Sequence, residues 1–312
     1  MFSSGPVGPI IVGSMDDAHV RAVVDNLPKN ADPLVVDCET LRGLDYVYAS
    51  RNEHEAGGSA DRSVKRGWIR RLAPPAWHRG VPLESHESVV KASWMALLVD
   101  YARTSDVEWL SRLDTLISAE SKLLQMRHAE DLGLPYPLTL VTNSASLVRD
   151  TFSVNVVLKP LGPGHYFDEE PRAVFASLLS VTDERIDLVD SVPFLCQEPL
   201  DARLHLRVVT VDSEVWVTQL DASKHAFDWR RDPPAHRGFV RSHCASDIVV
   251  DGAAALAKSF NLRYTSQDWV VTEDGPFFLD LNPGGQWLFL PDEVAEKVTR
   301  SIAEWLSSAE VD

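Results

Sequence analysis

Oxygen-bearing side chains gather near the C-terminal end of the chain in a pattern that suits a hard cation. Asp268 heads one apolar run, Glu273-Asp274-Gly275-Pro276 follows, and Asp280 and Asn282 close the returning run. Residues of that kind between two β-rich runs make a hairpin turn. Period-two alternation puts Asp280 and Asn282 on one face, and an antiparallel hairpin brings Asp268 beside them. Two carboxylates and a carboxamide are ligands that Mg²⁺ accepts alongside phosphate oxygens and water. An acidic pair at a hairpin is also common as plain solvated surface, so the pair alone does not decide. Other chemistries lack their spacing. His225, His236, His243 and Cys244 follow no zinc-finger or HExxH pattern, no GxGxxG follows the first strand, and neither a P-loop nor a GxSxG occurs. Cys196 sits in an apolar run and reads as packing.

From Asp280 to Trp287 the chain reads Asp-Leu-Asn-Pro-Gly-Gly-Gln-Trp. This resembles the ATP-grasp signature, and within that superfamily the ligases that mature graspetides (microviridin-type ribosomal peptides). Their usual ending carries Glu where Asp280 stands. Further motifs resemble the same branch in the same order. They are Lys122-x-x-Gln125, the stretch Gly133-Leu134-Pro135-x-Pro137-x-Thr139-Leu140-Val141-Thr142-Asn143, and the Lys159 run from Val156 to Leu161. Phe194-Leu195-Cys196-Gln197-Glu198, the Arg207 run from Leu204 to Val208, and Asp228-Trp229-Arg230 complete the set. The likeness is close over residues 115–290 and looser over 1–105.

The resemblance implies a chain of α/β and α+β class with an ATP-grasp fold. Two α+β lobes would grip ATP, preceded by an N-terminal pre-ATP-grasp α/β domain, with divisions at 1–105, 106–192 and 193–312. It implies that Lys122 and Lys159 neutralise ATP phosphates, as cations must where anionic oxygens converge. Gln197 and Glu198 would meet adenine and ribose, and Arg207 would face the phosphates or the activated acyl group. Asp268, Asp280 and Asn282 would hold two Mg²⁺ ions. Arg230, oriented by Asp228, would grip the substrate carboxylate with its guanidinium fork. Taken without the resemblance, Lys122 is a helix-surface lysine and Arg230 a loop arginine paired to Asp228 or Asp232. Arg207 would pair across its strand to Glu198 or Glu214. Two departures stand out. Asp280 is one methylene shorter than the usual Glu, which bears on bridging two metals, and Gly162-Pro163-Gly164-His165 is short for a phosphate-covering loop.

Hydrophobic spacing supplies the elements that must carry these residues. Residues 9–13 and 33–37 read as buried strands joined by a helix over 19–27 capped at Asp16-Asp17, a βαβ unit with a parallel pair. A third strand is predicted at 44–48. Helices follow at 87–101 and 119–132, the second stopped by Gly133, Pro135 and Pro137. Strands are predicted at 138–142, 154–159, 194–197, 204–211, 215–219, 268–272 and 277–281, with helices at 251–260 and 292–306. Asp212-Ser213 is a hairpin turn.

The 312 residues include 30 Lys+Arg and 46 Asp+Glu, a formal charge of −16. That balance argues against general nucleic-acid binding, which needs a basic footprint. No apolar run reaches the ~18 residues of a membrane helix, and the opening Met1-Phe2-Ser3-Ser4-Gly5 lacks the features of a signal peptide. Three scattered cysteines make no disulfide framework. A reduced cytoplasmic protein is the expectation. The locally basic stretch 51–82 (Arg51, Arg62, Lys65, Arg66, Arg70, Arg71, Arg79, with Trp68 and Trp77 interleaved) offers either an anion or acidic-peptide contact or a solvated strand and loop.

The resemblance implies an ADP- and phosphate-forming carboxylate–amine/alcohol ligase, and a homodimer. Its partner would be a ribosomal precursor peptide with a leader and an acidic core. Asp or Glu side chains of the core would be activated as acyl phosphates and joined to Lys, Ser or Thr as macrolactams or macrolactones. Two other readings stay open. One is an ATP-grasp ligase for a small acid or amino acid and an amine. The other is an inactive peptide- or nucleotide-binding homologue, for which Asp280 is the sequence support.

Overall fold

A computed structural model describes residues 8–43, 65–74, 77, 81–103, 107–162, 165–167, 171–173, 176–242 and 245–308. The chain divides into two compact units. One comprises Met1–Ile117 with Asn261–Tyr264 and Ala295–Asp312; the other comprises Ser118–Phe260 with Thr265–Val294.

In the first unit, β1 (Ile10–Val12), α1 (Ala18–Asp25) and β2 (Leu34–Val36) form the predicted βαβ unit, with β1 and β2 parallel. Asp17 caps α1 by accepting from the His19 backbone N–H at 2.8 Å. β3 (Lys65–Ile69) lies on the other side of β1, and after α2 (His86–Tyr101), β4 (Val107–Trp109) extends the sheet to the order β2-β1-β3-β4, all parallel. Such sheets are covered on both faces, and Ile10, Val12, Val36, Ile69 and Trp109 all enter the core with Leu98 of α2. Gly67 is required where it stands: a Cβ there would lie 2.6 Å from the Trp109 ring. The strand predicted at 44–48 lies outside the described residues, as do Arg51, Arg62 and Arg79.

The basic stretch does contain a strand, as one of its two readings had it, but the strand is internal rather than solvated: its Trp68 is buried and its cations are used locally. Arg66 donates to the Trp305 carbonyl at 2.7 Å, pairs with Glu108 at 3.3 Å and bonds the Ser308 hydroxyl. Arg70 is buried and pairs with Asp17 at 3.2 Å. Neither guanidinium is left over for an acidic peptide.

The helix predicted over 119–132 is α4 (Lys122–Asp131), and a separate helix, α3 (Leu113–Ala119), precedes it. Ser121 separates them by taking an extended backbone and capping α4, its hydroxyl accepting from the Leu124 N–H at 3.4 Å. Gly133 ends α4 at φ +67°, with Gly133 and Leu134 donating back to Glu130 and Ala129.

Next come β5 (Thr139–Thr142), α5 (Ala145–Thr151), β6 (Asn155–Pro160), a two-stranded ribbon β7 (His165–Phe167) with β8 (Pro171–Ala173), β9 (Ser177–Ser180) and β10 (Phe194–Gln197). The first sheet has the order β5-β10-β6-β9, antiparallel throughout. Val156, Leu158 and Cys196 point into a core with Val148, Phe152, Ile186 and Val189 of the covering layer. Alternation therefore turns Lys159 and Gln197 to the opposite face.

The second sheet runs β13-β12-β11-β14-β15. It comprises β11 (Leu204–Val211), β12 (Glu214–Asp221), β13 (Val240–Arg241), β14 (Tyr264–Thr272) and β15 (Gly275–Asn282), with α6 (Asp247–Ser259) before β14 and α7 (Asp292–Ser307) after β15. Asp212 turns the first hairpin at φ +52°. The second closes with Thr272 opposite Gly275, and Asp268 stands directly opposite Asp280. The register then steps to Trp269 opposite Phe278 and skips Leu279, a bulge beside the carboxylates.

Gln125 fastens α4 to β15. Its Nε2 donates to the Ala119 and Leu281 carbonyls, both at 2.7 Å, and its Oε1 accepts from the Leu281 N–H at 2.9 Å. The side chain is fully buried, so no water substitutes for it. Gln125→Leu leaves those backbone groups unpaired and should lower the unfolding free energy by about 2 kcal/mol, the cost typical of such orphans. Urea unfolding measures this, and an unchanged midpoint would show that the fastening carries no stability.

Candidate functional site

The fastening of α4 to β15 sets up the first contact of the site. Lys122 lies three residues before Gln125, on the same side of α4. Its Nζ donates to Asp280 Oδ1 at 3.0 Å. Burial opposes ionisation of Asp280, but Lys122, Lys159 and Arg230 outweigh it and hold the carboxyl below its ordinary range. On the neighbouring strand, Arg207 Nη1 donates to Asp268 Oδ1 at 2.8 Å. Neither Glu198 nor Glu214 is Arg207's partner, in contrast to the cross-strand pairing the sequence offered. Arg207 is buried, its guanidinium carbon lies 6.0 Å from the Phe289 ring centroid, and its Nε makes no hydrogen bond. Gly285 permits this packing, since a Cβ there would come within 2.9 Å of Arg207 Nη2 and 2.4 Å of Ser266 Cβ.

Lys159 belongs to the first sheet and faces the same carboxylates. Its Nζ donates to Gln197 Oε1 at 2.6 Å, and Gln197 Nε2 passes the chain of bonds to Thr139 Oγ1 at 2.9 Å. Among the described residues no carboxylate approaches Lys159 within 4 Å, so its nearest hydrogen-bond partner is neutral. Burial pulls its ammonium down to about 8; Asp280 and Asp268 oppose the fall, and Lys122 and Arg230 add to it. Glu198 Oε1 accepts from the Leu138 N–H at 2.7 Å, and the Glu198 N–H donates to the Leu138 carbonyl at 3.0 Å. The Gln197 amide and one Glu198 oxygen are thus already bonded, and the second Glu198 oxygen is left open.

Arg230 forms a two-point pair with Asp228, Nε and Nη2 each donating at 2.8 Å. Asp232, the other partner the sequence allowed, instead faces His225 Nδ1 at 2.7 Å. Burial works against charge on Arg230, but Asp228, Asp268 and Asp280 hold it firmly protonated. A guanidinium has five N–H groups, so with Nε and Nη2 engaged the Nη1 end remains for a ligand. Trp229, between the two residues, is buried in a ring cluster with His236 (5.1 Å), Phe239 (5.0 Å) and Phe289 (5.8 Å). This cluster supports both Arg230 and Arg207. No signal in the sequence pointed to Phe239 or Phe289.

Mg²⁺ fits the donors present. Asp268 and Asp280 are adjacent, each with one oxygen held by a cation. Asn282 follows on the same face, its Oδ1 also accepting from the Gly284 N–H at 3.0 Å. Mg²⁺ commonly takes one or two carboxylates and completes its shell with phosphate and water. Among the described residues no group of three His, Cys, Asp or Glu side chains converges, so a metal here would depend on such additional ligands. His225 and His236 are spent on Asp232 and the ring cluster, in keeping with the absence of zinc spacing; His243 and Cys244 lie outside the described residues. Cys196 is buried and its thiol is pushed up to about 11, which suits packing.

No family model matches the chain, and no curated protein matches it. Solved structures do. A RiPP-associated ATP-grasp ligase from Chryseobacterium gregarium, in complex with ADP and a leader and core peptide, matches at TM-score 0.80 and 18% identity over 95% of each chain. The macrocyclase MdnC from Microcystis aeruginosa MRC, bound with precursor peptide MdnA, matches at TM-score 0.75 and 21% identity, covering 96% of this chain and 99% of that one. The ATP-grasp ligase PsnB, complexed with minimal precursor, Mg and ADP, matches at TM-score 0.70 and 19% identity, covering 95% and 96%. The chain has the ATP-grasp fold.

If a polyanion binds at Lys159, its affinity will depend on pH. A triphosphate prefers the charged ammonium, so ATP affinity should fall as pH rises through about 8, by up to about tenfold per unit for one linked proton. Lys159→Met should bind more weakly and lose that slope. Calorimetric titrations at pH 7, 8 and 9 read both effects, and a flat wild-type profile would remove Lys159 from phosphate binding.

Proposed function

We propose that this chain is an ATP-dependent ligase that matures a ribosomal precursor peptide. It would activate Asp or Glu side chains as acyl phosphates and pass them to an amine or hydroxyl, closing macrolactam or macrolactone rings. The observation that carries the reading is the convergence of Lys122, Lys159, Arg207 and Arg230 on Asp268 and Asp280, at the corner where ATP-grasp-type motifs meet. Four cations around two carboxylates leave a surplus of positive charge that a triphosphate and a substrate carboxylate neutralise. The solved structures of the same fold, in complex with ADP, Mg and precursor peptides, support the same reading.

A carboxylate does not react with an amine in neutral water, because oxide is a poor leaving group. Transfer of the γ-phosphoryl group makes phosphate the leaving group instead. Positioning and charge stabilisation dominate such transfers. In this proposal Lys122 and Lys159 hold the phosphates, and Arg207 faces the γ-phosphate or the acyl group. The hinge at Gln197 and Glu198 seats adenine and ribose. Asp268, Asp280 and Asn282 would hold two Mg²⁺, which supply charge neutralisation on the β- and γ-phosphate oxygens. The open Nη1 end of Arg230, steadied by Asp228, grips the peptide carboxylate. The proposal includes the division into a pre-ATP-grasp domain (1–105), a central lobe (106–192) and a C-terminal lobe (193–312). It also includes the homodimer, the cytoplasmic setting, and the ADP- and phosphate-forming reaction. No described helix is long and apolar enough to cross a membrane.

Co-expression with a candidate short acidic precursor peptide tests the reading by intact mass, with a loss of about 18 Da per ring, the water of condensation. Asp280→Ala and Asn282→Ala should abolish the loss without unfolding the chain. Arg230→Ala should retain ATP binding and slow crosslinking about 100-fold, the scale of a misplaced reactant. Normal crosslinking by Arg230→Ala would refute the clamp. Turnover of small acids with amines in place of the peptide would favour the small-substrate ligase.

A further inference from the structure

His205 stands two residues before Arg207, on the same face of β11. Asp268 of the neighbouring strand β14 lies on the same face of the sheet, since Arg207 reaches it there. The strands are fixed against each other by the Arg203 N–H donating to the Val271 carbonyl at 2.8 Å and by the Thr210–Thr265 hydroxyl pair at 2.8 Å on the opposite face. The imidazole is half-buried, and among the described residues it has no hydrogen bond or ion pair.

The charged groups around His205 are all committed. Arg207 on its own strand and Asp268 on β14 pair with each other. Asp228 and Arg230, from the segment after β12, pair with each other, and His225 of that segment pairs with Asp232. Burial lowers the His205 imidazole below its ordinary value; Asp268 and Asp228 oppose that fall, and His225 and Arg230 add to it. The ring is therefore neutral near pH 7, with a lone pair free to accept a proton. The paired carboxylate of Asp228 is held below its ordinary range despite burial, which makes it a poor base.

We propose that His205 is the general base of the ligation step, an inference that rests on the ligase reading above. The attacking amine or hydroxyl forms a new N–C or O–C bond at the acyl carbon. The acyl C–O bond to phosphate breaks, and phosphate leaves with the electron pair. The proton of the attacking group passes to the imidazole. No other reactant is consumed.

The test compares wild type, His205→Ala and His205→Gln on a precursor peptide that the wild type crosslinks, with and without hydroxylamine. Hydroxylamine is neutral at pH 7 and traps an acyl phosphate as a hydroxamate without a base. Loss of general-base catalysis typically costs 10²–10⁴-fold. Both variants should therefore crosslink about 100-fold or more slowly, while peptide hydroxamate falls far less. Free imidazole should restore crosslinking to His205→Ala. The wild-type rate should drop as the pH falls below the imidazole's range, and the variants should lack that inflection. Wild-type crosslinking by His205→Ala, or an equal fall of crosslink and hydroxamate in both variants, would overturn the proposal. Wild type crosslinking no candidate precursor peptide overturns the ligase reading itself, and the role of His205 with it.

Discussion

A lysine ammonium held 3.0 Å from the last carboxylate of a hairpin organises the unit that contains the site. Lys122 and Asp280 lie 158 residues apart in sequence, yet each is placed by backbone that the other's element secures. Gln125 ties the helix of Lys122 to the strand of Asp280, and the Asp268–Asp280 register ties that strand to the partner of Arg207. Removing one member of a partly buried pair costs far more than the pair itself contributes, because the survivor keeps its desolvation cost without its partner. The charges are consequently interdependent. Lys159, with an amide as its hydrogen-bond partner, is the member whose charge that network compensates least.

The local sign of charge runs against the whole. Counting Asp228, the site sets three carboxylates against Lys122, Lys159, Arg207 and Arg230, a balance of 4 − 3 = +1. The chain as a whole carries −16. A recessed cationic spot within low-dielectric walls focuses its field over short distances, whereas the general negative charge acts over a Debye length of about 8 Å at physiological salt. An acidic ligand is thus opposed from afar and favoured only on arrival, and an acidic protein meets that requirement with few arginines. Arg66 and Arg70 do not relieve the long-range opposition, since both are paired inside their own unit.

What could be read from the sequence and what could not divide along physical lines. The hairpin, its turn and the shared face of Asp268, Asp280 and Asn282 follow from local alternation and turn chemistry, and the structure has them. The bulge at Leu279 does not, because one skipped residue leaves no mark in a short apolar run. Arg207's partner was missed for a related reason: local reasoning proposed carboxylates near it in sequence, whereas β14 comes from more than fifty residues later. The charges around β3 made its strand read as solvated, whereas it is internal because its neighbours supply the counter-charges. The helix predicted from residue 119 begins at Lys122, because Ser121 takes an extended backbone and caps it.

Asp280 was the sequence's one argument for an inactive homologue, and its surroundings weaken that argument. A shorter carboxylate stays closer to its own strand, and the helix of Lys122 is fastened near enough to meet it. Lys122, Lys159 and Arg230 together keep it ionised against the pull of burial, so it retains the charge that a metal or a phosphate-bound cation requires. A site relieved of selection for charge would be expected to lose its costly members first, the desolvated lysine and the arginine with a buried orphan Nε. Lys159 and Arg207 are both in place, and Gly285 still leaves Arg207 the room that a single methyl group would take away. Asp280, though a methylene shorter than Glu, sits among cations that hold its charge.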